Sequence, residues 1–497
     1  MNNNSTILYQ KAALTVCLFL LSFAHTRAQE WQFTPTTQKA YDLIMDLRTA
    51  DAYELIPQPK TIQEHYVIGF GHALELLISE DPKQYSDYED HLEQIMSIKI
   101  KPNDPNELFL LAETHLQWAF VYLKFGHEFD AASNLRQAYL TSQEIKKKFP
   151  NYQAIHKTSG LLEIIVGSVP EKYGWVLGLL NMEGNIDTGI AELEQMRRAD
   201  HPLALQAGLL YALVQGFVLQ QTEAALTNIK QIQKENPGNR LILFLGASLA
   251  IKNSASEEAL AMLTPLVEKS PSFPLYYADY LRGEVYLHKA EYLNAISAYR
   301  AFINTYKGQN YVKDAYYKIG LCYWLNGNKS DAIAIFKQAT DAGKEVTEAD
   351  KYAAHSLAQK EFPHIALTRA RYYTDGGYYT EARSLLESLA PNDLPTKRDQ
   401  VEYYYRKARL AHKSNDLPAA KLFYQQTIDL SGMEEWYFAP NACLQSGYIS
   451  IQQNDNAAAR TFFSRALGYK KHEYKNSIDS KAKSALAQLK DKDRSRR

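Results

Sequence analysis

Tyrosine, tryptophan and arginine side chains are the residues of this 497-residue chain with the clearest capacity for chemistry, and that chemistry is binding. The chain contains 35 tyrosines, an unusually large number, and each offers a broad contact area with a polar end. Where arginine alternates with aromatic rings, the rings can pack the side chains of an extended peptide while the guanidinium pairs with its carboxylates. The composition therefore predicts a binding surface.

The motifs of common catalytic centres are missing from the sequence. There is no helix with paired histidines and no Cys-x-x-Cys, and the 13 histidines are scattered. Phosphate-cradling glycine loops and the Gly-x-Ser-x-Gly elbow are also absent. We predict a protein that is not an enzyme, with no catalytic residues, no metal and no cofactor.

The elements that must position the aromatic and arginine side chains are repeated helical hairpins, clearest between Tyr277 and Ala339. Two consecutive copies of one pattern occur there, with intervals of 3, 4, 5, 4 and 3 residues. The first copy consists of Gly283, Tyr286, Ala290, Ala295, Tyr299 and Phe302; the second consists of Gly320, Tyr323, Gly327, Ala332, Phe336 and Ala339. A glycine in mid-helix costs roughly 1 kcal/mol against alanine, so close approach of the second helix, through Ala295 and Ala332, is the expected compensation.

This spacing resembles the tetratricopeptide repeat, and the resemblance covers most of residues 105–470. It implies an all-α fold, a right-handed α-solenoid of stacked tetratricopeptide-type helical hairpins. In the second copy we predict a first helix from Lys313 to Leu325, and a second helix capped by Ser330.

The resemblance also implies a candidate binding groove, because the first helix of each hairpin lines the concave surface of such an array. The groove positions with ligand-binding side chains are Tyr277, Tyr280, Tyr317, Trp324, Arg371, Tyr405, Arg409 and Tyr448. Glu284, Asp314, Glu402 and Lys413 occupy groove positions too. The alternative is that these rings mainly stack between adjacent repeats.

Five segments follow from this pattern. They are a signal peptide (1–28), an N-terminal helical cap (29–104), N-terminal tetratricopeptide-like repeats (105–275), C-terminal tetratricopeptide repeats (276–470), and a capping helix with a charged tail (471–497). Within the cap, apolar spacing predicts helices over Gln38–Ala50, Glu64–Ser79 and Tyr85–Ile98.

The N-terminus has the pattern of an export signal. Lys11 precedes an apolar run from Ala12 to Ala24, which is short for a membrane span, and a small residue, Ala28, stands at the expected cleavage position. We predict cleavage after Ala28 and an exported protein, periplasmic or envelope-associated; an uncleaved anchor helix is the alternative.

Cleavage would move the net charge from −1 to −3, which argues against nucleic acid as a partner. The remaining cysteines, Cys322 and Cys443, are expected to be buried free thiols.

A second resemblance lies in residues 169–193. The run from Val169 through Pro170 to Leu180, followed by Gly184 and Gly189-Ile190-Ala191-Glu192-Leu193, is similar to a signature segment of the inclusion-body-clearance family of tetratricopeptide proteins. The resemblance implies architecture rather than role, because that family brings no catalytic residues to transfer.

These observations favour one function over two others. The first hypothesis is an exported scaffold that binds protein or peptide segments in its groove and reaches a membrane only through a partner. A glycan- or small-ligand-binding component of a nutrient-uptake system is the alternative, since Trp324 or Tyr317 could stack on sugar rings, although the lipid-anchor cysteine of such proteins is missing. An enzyme built on the array ranks third. The oligomeric state is not predicted.

Overall fold

The computed structural model describes residues 30–169, 181–268, 270–359 and 361–495, so the proposed signal peptide lies outside the described residues. Every regular element in these ranges is helical, and they contain no strand. Successive helices pair as antiparallel hairpins that stack on their neighbours. The all-α fold of stacked tetratricopeptide-type hairpins is confirmed.

Contacts divide the chain into two compact units. Of the described residues, the first unit contains 30–77, 82–168 and 181–211, and the second contains 78–81, 169 and 212 onwards. The helices that lie wholly or mainly in the first unit are α1 (Pro35–Met45), α2 (Thr49–Leu55), α3 (Ile62–Ser79), α4 (Pro82–Ser97), α5 (Pro105–Phe125), α6 (Glu128–Lys148), α7 (Ile155–Gly167), α8 (Ile186–Arg197) and α9 (Ala204–Leu213). A π-helical turn, Val214–Val218, continues α9.

The first predicted helix of the cap, Gln38–Ala50, is wrong in extent. The structure has two helices there, because Leu47 adopts a left-handed conformation (φ 60°) and ends the run. The Leu47 side chain is completely buried. Burial of the Leu47 side chain stabilises a left-handed backbone conformation that leucine normally disfavours.

Three histidines of the first unit, His65, His72 and His91, lie together between α3 and α4. Nδ1 of His65 is 3.2 Å from Nε2 of His91, and the His72 ring stacks on Tyr88 with 3.8 Å between centroids. Burial, reinforced by the neighbouring histidine, lowers the pKa of His72 to about 3 and that of His91 to about 4. Both rings are therefore neutral in the folded protein at pH 7.

We expect this cluster to make the first unit acid-sensitive. Below pH 6.5 the unfolded chain binds protons that the buried rings of His72 and His91 reject, so stability decreases as the pH falls from 6.5 towards 4. Between pH 6 and 5 the two rings together should cost about 2 kcal/mol. Amide hydrogen exchange of α3 and α4 in the full chain, corrected for intrinsic rates, measures this loss. A His91→Leu variant should show a weaker pH dependence, and protection that does not change with pH would contradict the assignment.

The second unit contains the remaining helices. They are α10 (Thr222–Glu235), α11 (Arg240–Lys252), α12 (Ser256–Leu263), α13 (Tyr276–His288), α14 (Tyr292–Thr305), α15 (Val312–Leu325), α16 (Lys329–Asp341), α17 (Glu348–Ala358), α18 (Ile365–Gly376), α19 (Tyr379–Glu387), α20 (Lys397–Lys413), α21 (Leu417–Ser431), α22 (Phe438–Gln452), α23 (Asn456–Gly468) and α24 (Lys475–Ser495). Hairpins are formed by α11/α12, α13/α14, α15/α16, α18/α19, α20/α21 and α22/α23, whereas α17 is an additional helix packed on α15.

Glycine in the first helix of a hairpin accommodates an aromatic ring of the second helix. A Cβ at Gly283 would lie 2.5 Å from the Tyr299 ring, and one at Gly320 would lie 2.5 Å from the Phe336 ring. Ala295 and Ala332 are also fully buried, as the close helix approach requires. The packing reason for these mid-helix glycines is therefore a ring that occupies the missing side-chain position.

The predicted ends of the α15/α16 hairpin are close to the observed ends. The predicted N-cap Ser330 is wrong, because Asn328 caps α16 by accepting a hydrogen bond from the backbone N–H of Asp331.

Cys322 and Cys443 are buried free thiols, as expected, and burial raises the pKa of Cys443 to about 12. Among the described residues, no helix has the length and apolar character needed to cross a membrane.

The last helix closes the hydrophobic core of the second unit. Ile478, Ala482, Ala485 and Leu489 lie on one side of α24 and join the buried cluster of α20 to α23. The helix extends to Ser495, so it includes most of the predicted charged tail.

Candidate functional site

The candidate site is the surface formed by α13, α15, α18, α20 and α22, which we call the first-helix face because each is the first helix of its hairpin. Its deepest part is an ionic network between α13 and α15. Lys318 Nζ lies 2.8 Å from a carboxylate oxygen of Asp314 and 2.6 Å from one of Glu284. The Tyr280 hydroxyl donates to Asp314 at 2.5 Å and accepts from Lys318 at 2.9 Å, and the Tyr299 hydroxyl donates to Glu284.

The lysine of this network stays charged although it is buried. Burial alone would lower the pKa of Lys318, but the carboxylates of Asp314 and Glu284 outweigh burial and raise it. Lys318 is therefore protonated at neutral pH and pairs with two carboxylates. Tyr280 is only 3% exposed and its hydroxyl is committed to this network, so we assign it a structural role.

A second ionic group lies where α18 meets α20. Asp375 is 3.6 Å from the Arg371 guanidinium and 3.8 Å from that of Arg409. Burial would raise the pKa of Asp375, but the two arginines and His288 outweigh burial and lower it. Two guanidiniums, each with five N–H donors, thus share one carboxylate, which leaves donor capacity for a ligand.

Tyrosines surround these arginines. Arg371 donates to the Tyr352 hydroxyl at 3.0 Å, and its guanidinium carbon lies 5.3 Å from the centre of the Tyr372 ring. Tyr474, just before α24, contacts both the Tyr352 ring, at 5.9 Å between centroids, and the Tyr437 ring, at 5.3 Å. Although burial opposes it, Arg371 lowers the pKa of the Tyr352 hydroxyl. The tyrosines therefore fix the direction of the Arg371 guanidinium.

The structure separates the predicted binding residues into two groups. Tyr280, Tyr317 and Tyr405 are 3%, 6% and 3% exposed and pack on other rings. Partly exposed positions are held by Tyr277, Trp324, Arg371, Arg409 and Tyr448. Rings do stack within and between repeats, while the arginines of α18 and α20 are brought together.

Each partly exposed aromatic residue is held in place by a contact with the protein. Tyr277 stacks on Tyr280 with 4.7 Å between centroids. Trp324 donates its indole N–H to the carbonyl of Pro363 at 2.9 Å, and Tyr448 meets Phe463 edge to face at 5.4 Å. These rings are held rigidly, so a ligand that contacts them loses little side-chain entropy on binding.

Asp375, Tyr352 and Tyr474 were not among the residues predicted from the sequence. Asp375 follows Arg371 by four residues, a spacing that places both on one helix face and could have indicated the pair. Tyr352 belongs to α17, which lies outside the repeat pattern, and Tyr474 lies between two helices. No regular spacing marks those two positions.

Stacked hairpins with an arginine- and tyrosine-rich first-helix face define a helical-repeat scaffold of the kind that mediates protein–protein interaction. Residues 280–345 match the family model described as tetratricopeptide repeat. No curated protein matches the chain. No comparison confirms the resemblance of residues 169–193 to the inclusion-body-clearance family, and residues 170–180 of that segment lie outside the described residues.

Solved structures similar to this chain come from several helical-repeat proteins. The human IFIT1 dimer with m7Gppp-AAAA is 14% identical, covering 89% of this chain and 96% of that chain with a TM-score of 0.33. The Cut9-Hcn1 hetero-tetramer of the APC/C is 11% identical, covering 91% and 97% with a TM-score of 0.29. The apo quorum sensor NprR from B. thuringiensis is 16% identical, covering 80% and 98% with a TM-score of 0.27. At these scores the likenesses carry no argument about function.

The described part of the chain contains many residues with metal-ligating side chains. No group of three or more His, Cys, Asp or Glu side chains there is arranged to hold a metal ion. The first-helix face presents the guanidinium groups of Arg371 and Arg409 and partly exposed aromatic rings, which can recognise a ligand.

Proposed function

We propose that this protein is an exported, non-catalytic scaffold that binds a segment of a partner protein on the first-helix face of its second unit. The observation that carries the proposal is the convergence of Arg371 and Arg409 on a single carboxylate, Asp375. Guanidinium donors in excess of carboxylates favour a partner that brings carboxylates or backbone carbonyls. Rigid aromatic residues on the same face, Trp324 and Tyr448, supply contact area.

Export is part of the proposal and rests on the N-terminal sequence alone. The charged residue Lys11, the apolar run from Ala12 to Ala24 and the small residue Ala28 support cleavage after Ala28 and a periplasmic or envelope-associated location. Mass spectrometry of the N-terminal peptide of the protein purified from the envelope fraction tests this: a mature chain beginning at Gln29 is expected.

Glycan binding has less support from the described residues. A sugar ring needs a free aromatic face, and of the two rings suggested for this role Tyr317 is buried, so only the partly exposed Trp324, which also packs on Phe362 with 4.4 Å between centroids, is left. Nucleic acid is not proposed as a partner, because the whole chain has a net charge of −1.

Site-specific photocrosslinking tests the proposed face. A benzophenone amino acid is placed at position 448, on the first-helix face, and in a separate protein at position 422, where Leu422 is 58% exposed on α21. We expect the first probe, and not the second, to attach to recurring segments of one protein in the native envelope fraction. Adding Arg371→Gln and Trp324→Ala to the first protein should reduce that product about tenfold, because a guanidinium and an aromatic contact are lost.

A matched control distinguishes loss of the site from loss of charge. Arg383 is an exposed arginine on α19, a second helix, and Arg383→Gln should leave crosslinking unchanged. Equal products from positions 448 and 422, or a product that persists in the folded double variant, would refute the proposed face. Saturable binding of a polysaccharide without protein crosslinks would favour the glycan alternative.

A further inference from the structure

The C-terminal end of α11 meets the ends of α18 and α20 inside the second unit. Lys252 is the last residue of α11, and the turn after it packs so tightly on α18 that a Cβ at Gly377 would lie 2.1 Å from the Ser254 carbonyl oxygen. Asp375, two residues before Gly377, is the carboxylate that faces Arg409 of α20. Lysine and arginine from helices distant in sequence are thus brought to one place.

Two more cations join Lys252 and Arg409. Lys413 lies one turn after Arg409 at the end of α20, and Lys481 projects from α24. Burial lowers the pKa of Lys252 and that of Lys413, and Arg409 lowers both further. The positive charge of Lys481 lowers the pKa of Lys252 as well. Arg409 thus repels all three lysines, and Lys252 also repels Lys413 and Lys481.

The lysines of this group form no ion pair in the described part of the chain, although Asp375 favours the charged form of Lys413. Lys252, Lys413 and Lys481 take part in no ion pair there, and Arg409 has only the 3.8 Å contact with Asp375. Folding has thus collected four cations around one carboxylate. Such repulsion opposes folding unless an anion relieves it.

Helix dipoles compensate for part of this charge. Lys252 and Lys413 lie in the last turns of α11 and α20, where the helix end carries about half a negative charge. Lys481 has no such compensation, since it lies in the N-terminal half of α24. Even when the whole charge of Asp375, which Arg371 shares, is counted against the four cations, an excess of about two positive charges remains.

An exposed apolar patch adjoins the cations. Phe217 is 46% exposed at the π-helical turn after α9, and Lys252 Nζ lies 5.7 Å from the centre of its ring. Val218, beside it, is 40% exposed. Single π-helical turns occur frequently at functional sites. A ligand that covers this patch must carry an apolar group next to its negative charges, which inorganic phosphate does not.

We propose that Lys252, Arg409, Lys413 and Lys481, with Phe217 at their edge, bind a carboxylate-rich segment of the partner protein that also contains an aromatic or large apolar residue. The inference rests on the proposed function and gives the partner segment its chemical class. Carboxylates pair with the four cations, and the apolar residue packs on Phe217.

Peptide binding to the mature full chain tests the proposal. The probe is a fluorescein-labelled peptide with two glutamates on each side of a phenylalanine, and the comparison peptide has glutamine in place of glutamate. We expect the acidic peptide alone to bind, with an affinity that falls as salt is added. Lys252→Gln/Lys413→Gln/Lys481→Gln should weaken it about 30-fold and reduce the salt dependence, because three of the four clustered positive charges are removed. Phe217→Ala should weaken it about fivefold.

The control variant removes the same charge elsewhere. Lys307, Lys337 and Lys471 are exposed lysines of the second unit, and Lys307→Gln/Lys337→Gln/Lys471→Gln should change the affinity less than about twofold. Equal affinity for the three-lysine variant, equal binding of the glutamine peptide, or displacement of the acidic peptide by equimolar inorganic phosphate would each overturn the inference. The variant must keep the urea midpoint of the wild type within error or be replaced by the single substitutions.

The two proposals can fail separately. If crosslinking at position 448 depends on Arg371 and Trp324 but survives the three-lysine substitution, the scaffold function stands and the acidic-segment site is wrong. If the acidic peptide binds through the lysines but position 448 captures no protein, the proposed scaffold function is wrong.

Discussion

Replacing Lys318 by methionine is expected to lower the free energy of unfolding of the second unit by about 3–5 kcal/mol, because the substitution leaves two buried carboxylates without their shared cation. Asp314 and Glu284 both lie within 2.8 Å of the ammonium group, and Asp314 is almost completely buried. Without Lys318, one carboxyl must bind a proton or draw water into the core. Hydrogen exchange of α13 and α15, in the full chain, is the measurement.

Two further variants separate the buried charge from ordinary packing. Adding Asp314→Asn and Glu284→Gln to Lys318→Met removes all three charges while leaving partners for Tyr280 and Tyr299, so most of the lost protection should return. Lys351→Met breaks an exposed pair with Glu348 and should cost less than about 0.5 kcal/mol. If Lys318→Met is no worse than Lys351→Met, the network does not hold α13 to α15.

Gly189→Ala is expected to cost the first unit about 3 kcal/mol, because α7 and α8 touch through their backbones at this point. A Cβ at Gly189 would lie 2.4 Å from the carbonyl oxygen of Gly160 and 2.6 Å from Ile164. The Gly160 carbonyl oxygen belongs to the backbone and cannot rotate away from the new methyl group, so α7 and α8 must move apart. Alanine also favours a helix over glycine by roughly 1 kcal/mol, so any loss is due to packing. Hydrogen exchange of α7 and α8 reports it.

Gly468→Ala is the matched control for this prediction. Gly468 ends α23, and nothing lies within 4 Å of the place its Cβ would take. We expect a change of less than about 0.5 kcal/mol, in either direction. Unaltered protection of α7 and α8 in Gly189→Ala would show that the close helix contact is absent in solution.

The spacing of small and aromatic residues was sufficient to predict the hairpins. Gly283 with Tyr299, and Gly320 with Phe336, contact each other within one hairpin, so their separation in sequence translates directly into distance in space. Prediction of helix ends from neighbouring residues failed at two places. At Leu47 a buried side chain determined the backbone conformation, and at the start of α16 two polar residues, Asn328 and Ser330, could each have been the N-cap.

The candidate site was predicted less completely than the hairpins, because it depends on which side chains the neighbouring helices bury. A repeat pattern indicates which side of a helix belongs to the predicted groove, and it placed Arg371 and Arg409 among the candidate binding residues; only the structure shows that both lie near one carboxylate, Asp375. The repeat pattern does not show which rings neighbouring helices cover, so buried Tyr280, Tyr317 and Tyr405 and partly exposed Trp324 looked alike.

By itself, the sequence determined the helical periodicity, the hairpin pairing and the class of fold, because these depend on residues a few positions apart. Only the tertiary structure decided that Lys318 is enclosed by two carboxylates, that Arg371 and Arg409 share Asp375, and that Lys252, Lys413 and Lys481 gather near one another. Each group joins side chains from different helices of the stack, so no spacing within one hairpin specifies it. Burial and charge at such meeting points depend on how hairpins stack, which no local spacing specifies.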